Sequence, residues 1–153
     1  MALNMGQLRS QIQSVFDQKL ESIPQIASKI ARAYQAYATA AQAPPGAPVI
    51  LKGSESRLFE TALTSLMQGR LPAPQAAQAL GNAIAAFWLL PPVQTGAGGV
   101  CTAVVPQAAV AKMMATKVSA SSQAALSLAQ SLDLMTRTVI VTNPPPLPPG
   151  PLF

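Results

Sequence analysis

Few residues in this 153-residue chain could do chemistry, and none stands in the pattern that chemistry needs. The acidic side chains are Asp17, Glu21, Glu55, Glu60 and Asp133, and histidine, the usual general base and metal ligand, is absent. Asp17 and Glu21 are four apart and share a helix face, and two carboxylates held apart in pKa can divide acid and base roles. Beside Lys19 on an amphipathic helix, however, the pair reads as a solvated polar face. One cysteine, Cys101, rules out an internal disulfide and a cysteine-based metal cluster. It lies in a valine-rich run with no imidazole to activate it, so it reads as a small core residue rather than a nucleophile. The GAGG stretch, Gly96 to Gly99, precedes a strand pattern, whereas a phosphate-binding loop follows a strand and opens a helix. It reads instead as a hinge between helix and sheet. These residues point away from an enzyme, and they imply no cofactor, metal or small-molecule substrate.

What the sequence does offer is contact chemistry. Phe87 and Trp88 are adjacent near the end of an alanine-rich helix pattern. They can fill a core or, because tryptophan is enriched at binding hot spots, anchor an interface. The last eleven residues, NPPPLPPGPLF, hold six prolines. They read as an extended polyproline arm over 143–153, apart from a domain spanning 1–142. In that arm Pro145 and Pro148 have the PxxP spacing that SH3-type grooves recognise, and Leu147, Leu152 and Phe153 are apolar anchors. The expectation is that the arm docks in trans, on a neighbouring subunit.

Composition agrees with a chain made for contact. Half of the residues are hydrophobic but only 10% are charged, against about 25% in ordinary soluble domains. A folded chain so poor in charge either meets a membrane or is covered by other proteins. The best candidate for a span, 76–93, is broken by Gln78, Gly81, Asn82, Pro91 and Pro92, short of the roughly 18 apolar residues a span needs. The first eighteen residues are amphipathic and polar, without the apolar core of a signal peptide. Coverage by protein is the better account. The net charge of +5 comes from basic residues scattered from Arg9 to Arg137, with no run and no interleaved aromatics. That argues against a nucleic-acid surface.

The elements that must position these residues are mostly helical. Leu8, Ile12, Val15, Phe16, Leu20, Ile23, Ile26, Ile30, Ala33, Tyr34, Tyr37 and Ala41 are spaced by threes and fours, one apolar stripe. Asn4 can cap this long N-terminal helix. Pro24 kinks it or breaks it, in which case Ser22 or Ile23 caps a second helix with Pro24 in its first turn. A helix after Ser54 carries Leu58, Phe59, Ala62, Leu63, Leu66 and Met67, and another covers about 74–89. Further helices are expected at 107–118 and 123–134. Strands are expected at 100–105 and 137–142, sharing one sheet with 49–51 joining them. Val139, Ile140 and Val141 are consecutive, which suggests burial on both faces. The fold class is mainly α with a small β-sheet, an α+β arrangement.

The second half, Pro74 to Gly150, resembles small virion structural proteins of tailed bacteriophages, in particular those of cyanophages. The likeness lies in an alanine-rich helix ending in an aromatic pair (ALGNAIAAFW), a valine-rich strand after a Pro/Gly turn (GGVCTAVVP), and a strand running into prolines (TRTVIVTNPPPLPPG). The resemblance implies a non-enzymatic component of the neck, tail or baseplate, made in the host cytoplasm. It would be present in several copies as a ring and bound to other virion structural proteins. The pattern holds no catalytic positions. The alternatives are an adaptor whose prolines bind SH3-type domains, and a secreted or pore-forming alanine-rich helical protein, which the chain's lack of a WxG turn disfavours.

Overall fold

The N-terminal stripe folds as two helices. In the computed structural model, which describes residues 3–17, 22–43, 46–69, 73–89, 92–96, 98–103, 121–142 and 149–153, α1 spans Met5–Asp17 and α2 spans Ile23–Thr39. The Asn4 side chain accepts the Gln7 amide at 3.1 Å, capping α1. Ser22 precedes α2, and its amide donates to the Gln25 side chain at 3.1 Å. Pro24 falls in the first turn, where its missing N–H has no intrahelical partner to lose. Of the two outcomes expected at Pro24, a kink or a break, the chain takes the break, and proline marks the start of the second helix.

Three more helices follow among the described residues: α3 (Ser54–Gly69), α4 (Ala73–Leu89) and α5 (Ser121–Arg137). Helix α1 packs on α2 and α5, α2 on α3, and α3 on α4. The stripes face inward as their spacing requires. Leu8, Ile12, Ile30, Tyr34, Phe59, Leu80, Ile84 and Leu132 are all fully buried. Leu58 is an exception to the reading of α3, being 44% exposed. In the first turn of α3 Glu55 is buried, and its carboxylate turns back to accept the amides of Lys52 and Gly53 at 2.8–3.2 Å. The expected helix over 107–118 and the Phe16 side chain lie outside the described residues.

Six very short strands form one antiparallel sheet in sequence order: β1 (Gln42–Ala43), β2 (Ala47–Ile50), β3 (Gln94–Thr95), β4 (Val100–Ala103), β5 (Ile140–Thr142) and β6 (Gly150–Pro151). The two expected strands do pair, with Cys101 opposite Val141. The second is shorter than expected, because α5 continues through Arg137. Thr136 stays helical by donating its hydroxyl to the Leu132 carbonyl at 2.7 Å, and Arg137 reaches back to Asp133 at 2.9 Å. Within β5 only Val141 and the preceding Val139 are fully buried, while Ile140 is half-exposed. Alternation, not burial on both faces, describes this strand.

The glycine cluster is also reassigned. Residues 96–99 connect β3 to β4 within the sheet rather than hinging helix to sheet. Gly99 donates to the Thr95 hydroxyl at 3.0 Å and Gly98 to the Thr95 carbonyl at 3.0 Å. Gly98 has φ +83°, a conformation that side chains with a Cβ resist.

The largest correction concerns the arm. Residues 149–153 dock in cis as part of the sheet. Pro151 lies opposite Ile140 and Gly150 opposite Val141, and the Leu152 amide donates to Val139 at 3.2 Å. Phe153 and Gln42 then exchange both backbone hydrogen bonds, at 2.9 and 3.0 Å. The last strand's end thereby meets the first strand, and the sheet order closes into a ring. Inside it stand small side chains, namely Ala43, Val49, Thr95, Cys101, Val141 and Leu152, all buried.

Leu152 is 2% exposed, so its truncation removes a buried side chain from the ring closure. Leu152→Ala is expected to cost about 2–4 kcal/mol of unfolding free energy. Urea denaturation should show this as a lowered midpoint with an unchanged slope.

Candidate interaction site

The interior is organised by one hydroxyl. Tyr34, on α2, is fully buried. The Trp88 indole N–H of α4 donates to the Tyr34 hydroxyl at 2.9 Å. That hydroxyl lies 2.6 Å from Thr136 Oγ1 of α5. Since the Thr136 proton goes to the Leu132 carbonyl, Tyr34 must be the donor to Thr136. The relay therefore runs one way, Trp88 to Tyr34 to Thr136 to Leu132, and leaves no buried donor in it unmatched.

Around the relay the rings pack edge to face. Tyr34 lies 4.9 Å from both Phe59 and Phe87, and Phe87 lies 5.2 Å from Trp88. Such pairs add about 0.5–1.5 kcal/mol each beyond area burial. Phe87 and Trp88, expected as candidate interface anchors, are both 0% exposed. Their surface is spent on the chain's own core, so the structure assigns them to the other role weighed for them and withdraws them as contact residues. One turn further along α2, the Tyr37 hydroxyl donates to Asp133 Oδ1, and Arg137 holds Oδ2 of the same carboxylate. Asp133 is thus a structural tether between α2 and α5. Its hydrogen bond raises the Arg137 pKa above its ordinary value.

The remaining expected contact residues separate. Leu152 is an interior plug, and Phe153, beside it, is 38% exposed on the outer face. Pro145, Leu147 and Pro148 lie outside the described residues. Ile50, which the sequence did not single out, is 49% exposed, the most of any large apolar side chain described. It shares the outer face of the sheet with Pro48. Pro48 is opposite Gln42, itself bonded to Phe153. Alternation from buried Val49 was the signal that could have found Ile50. No strand residue, in any of the six strands, carries a charge.

Elsewhere, a groove of about 470 Å³ between α1 and α2 is lined by Ser10, Gln11, Ser14, Lys29 and Arg32. Its lining holds no carboxylate or thiol. Among the described residues no three metal-ligating side chains converge, and no helix is long and apolar enough to cross a membrane.

The buried hydroxyls make stability sensitive to alkali. Burial raises the Tyr34 and Tyr37 pKa values above the ordinary 10, the Asp133 contact adding to the rise at Tyr37, and pushes the Cys101 thiol from 9 up to about 12. Below pH 9 each group is neutral in both folded and unfolded chains, so the contribution is fully present. As pH rises past 9 for the thiol and 10 for the phenols, the unfolded chain ionises first and stability falls. The expected slope is about 1.4 kcal/mol per pH unit for each group titrating. Thermal melts between pH 7 and 12 should be level to about pH 9 and then decline. Tyr34→Phe is expected to cost about 1–3 kcal/mol at pH 7, because it strands the Trp88 N–H without an acceptor, and to flatten the alkaline decline.

No protein-family model, curated protein or solved structure matches this chain, so what is said of its role rests on the residues above.

Proposed function

We propose that the chain is a non-enzymatic structural subunit of a tailed-phage virion, placed in the neck, tail or baseplate in several copies and joining larger virion proteins. The observation that carries this reading is the uncharged outer face of the sheet, where Ile50 and Phe153 stand exposed beside Pro48 and Pro151. Exposed apolar surface on a face without charge is what a protein contact covers. The described charged residues lie on the helices or, for Lys52, in the connection before α3, so the chain has a solvated side and a contact side. The interior supports the same reading. Its buried polar groups, Tyr34, Thr136, Glu55 and the half-buried Asp133, are all engaged in holding elements together. The likeness of Pro74–Gly150 to small virion proteins supplies the setting.

Two measurements test it. Mass spectrometry of purified particles of the phage that encodes the chain should find it at several copies per virion; its absence from the particle removes the reading. Ile50→Lys should weaken association with the neighbouring virion proteins at least tenfold while leaving the far-ultraviolet circular dichroism unchanged. Undiminished association would show that the outer sheet face is not the contact.

A further inference from the structure

The groove between α1 and α2 gathers hydrogen-bond donors that the fold leaves unused. Ser14 and Lys29 line one end of it, and Asn4 and Ala40 line a narrower hollow at the other. The two helices therefore run antiparallel, and the two hollows, which share Gln11, form one groove along their length. At the broad end Val15 and Ala33 supply an apolar floor.

Arg32 decides what that end can hold. It is exposed, and among the described residues nothing bonds its guanidinium, the Gln11 side-chain amide or the Ser14 hydroxyl. Three neighbours are already engaged and are not counted on. The Ser10 hydroxyl donates to the Gly6 carbonyl at 3.0 Å, and Lys29 and Asp17 each have a partner within the chain. What remains is a planar guanidinium fork, an amide N–H and a hydroxyl around one hollow. A guanidinium grips a carboxylate through two parallel N–H···O bonds, and the oxygens keep lone pairs for the amide and the hydroxyl. No carboxylate of the chain lines the groove, so the acceptor comes from outside.

We propose that the α1–α2 groove receives an acidic segment of a different protein, with an Asp or Glu carboxylate seated on Arg32 and supported by Gln11 and Ser14. The broad end measures about 470 Å³, far more than an inorganic anion fills, and its apolar floor lies beside the donors. The ligand therefore has an apolar body as well as a charge. Ser10, Ser14 and Arg32 are exposed, so the groove lies open along the helices, which suits a length of chain laid into it. A second copy is a poor occupant. Of its acidic residues, Glu55 is buried on its own backbone amides and Asp133 is held by Tyr37 and Arg137, and two chains of net charge +5 repel. The groove is built from other elements than the sheet face of Ile50 and Phe153, so it stands or falls apart from the assembly reading.

The full chain, isotope-labelled for amide spectra, is titrated with a capped alanine–leucine peptide carrying two glutamates one helical turn apart. The same peptide with glutamines in their place and inorganic phosphate are titrated in parallel. The expected result is saturable shifts at Gln11, Ser14 and Arg32 with the glutamate peptide alone. Arg32→Gln, an exchange a helix tolerates, should weaken that binding roughly tenfold. Arg57→Gln removes the same charge from an exposed site on α3 and should change it by less than about twofold. Arg32→Lys keeps the charge but loses the fork and should fall between. Absence of shifts with the glutamate peptide overturns the proposal, as does equal binding of the glutamine peptide. Equal losses in Arg32→Gln and Arg57→Gln overturn it in favour of attraction by net charge alone. Phosphate producing the same shifts assigns the groove to a free anion, and concentration-dependent shifts at these amides without any peptide assign it to a second copy; either outcome overturns it as well.

Discussion

The relay through Tyr34 is the constraint on which the rest of the structure depends. A buried phenol is costly unless its oxygen is both donor and acceptor to something, and here the two partners come from α4 and α5, distant in sequence from each other and from α2. Satisfying that oxygen fixes three helices at once. The ring of the same residue fixes a fourth, because it packs on Phe59 of α3. An apolar side chain at position 34 could fill the same volume but would bond neither α4 nor α5. One turn away lies Tyr37, whose own hydroxyl is committed to Asp133. Two tyrosines spaced by three therefore set the register of α2 against α5.

That register determines where the sheet can form. Thr136 is held by Tyr34 and Asp133 by Tyr37, so α5 remains helical to Arg137 and β5 begins only at Ile140. Trp88, held by the other side of the relay, lies at the end of α4, and its carbonyl accepts the Val93 amide at 2.9 Å. Val93 in turn accepts from Cys101 at 2.9 Å. The hydrogen bonds run without a break from the core hydroxyl into the β3–β4 hairpin. Strands this short would be unstable by themselves. Four of them adjoin a helix end positioned by the core: β1, β3 and β5 follow α2, α4 and α5, and β2 leads into α3.

The helices were legible in the sequence and the ring was not, for a physical reason. An amphipathic helix repeats its signal over three or four turns, and the stripe of α2 from Ala27 to Ala38 is buried as its spacing requires. Strands of two residues, such as Gln42–Ala43, Gln94–Thr95 and Gly150–Pro151, are shorter than one period of alternation and carry no pattern to read. The aromatic pair at 87–88 was visible as a feature. Whether it faced a core or a partner turned on Tyr34, which in the sequence is one more apolar member of a stripe. Similarly, TRTVIVT has the composition of a strand throughout, yet a tertiary hydrogen bond holds its first two residues in a helix. Proline composition suggested an arm over 143–153 apart from the domain, and it held no sign of the pairing of residues 150–153 with β5 and β1, which depends on strands far away in the chain.

Charge placement links this architecture to association. Polar network and ring closure together leave the strands free of charged side chains, since the inward positions are small and dry and the outward ones are Gln, Pro, Ile and Thr. The charged groups among the described residues, apart from Lys52 in a connection, are on helices, and several are spent in place: Glu55 on the amides before α3, Asp133 and Arg137 on each other. Copies of a chain with a net charge of +5 repel at a distance but feel little opposition once the neutral sheet faces meet, because exposed charges separated by more than about 8–10 Å are screened at physiological salt. Among the described residues the charged side chains stand on the helices and at Lys52, and the strands carry none. The apolar residues left on the outer face, Ile50 and Phe153, flank Pro48 and Gln42 at the junction where the ring closes. On the proposed assembly, closure of the ring and contact with a neighbour would draw on the same few residues, so that a change in one is felt by the other.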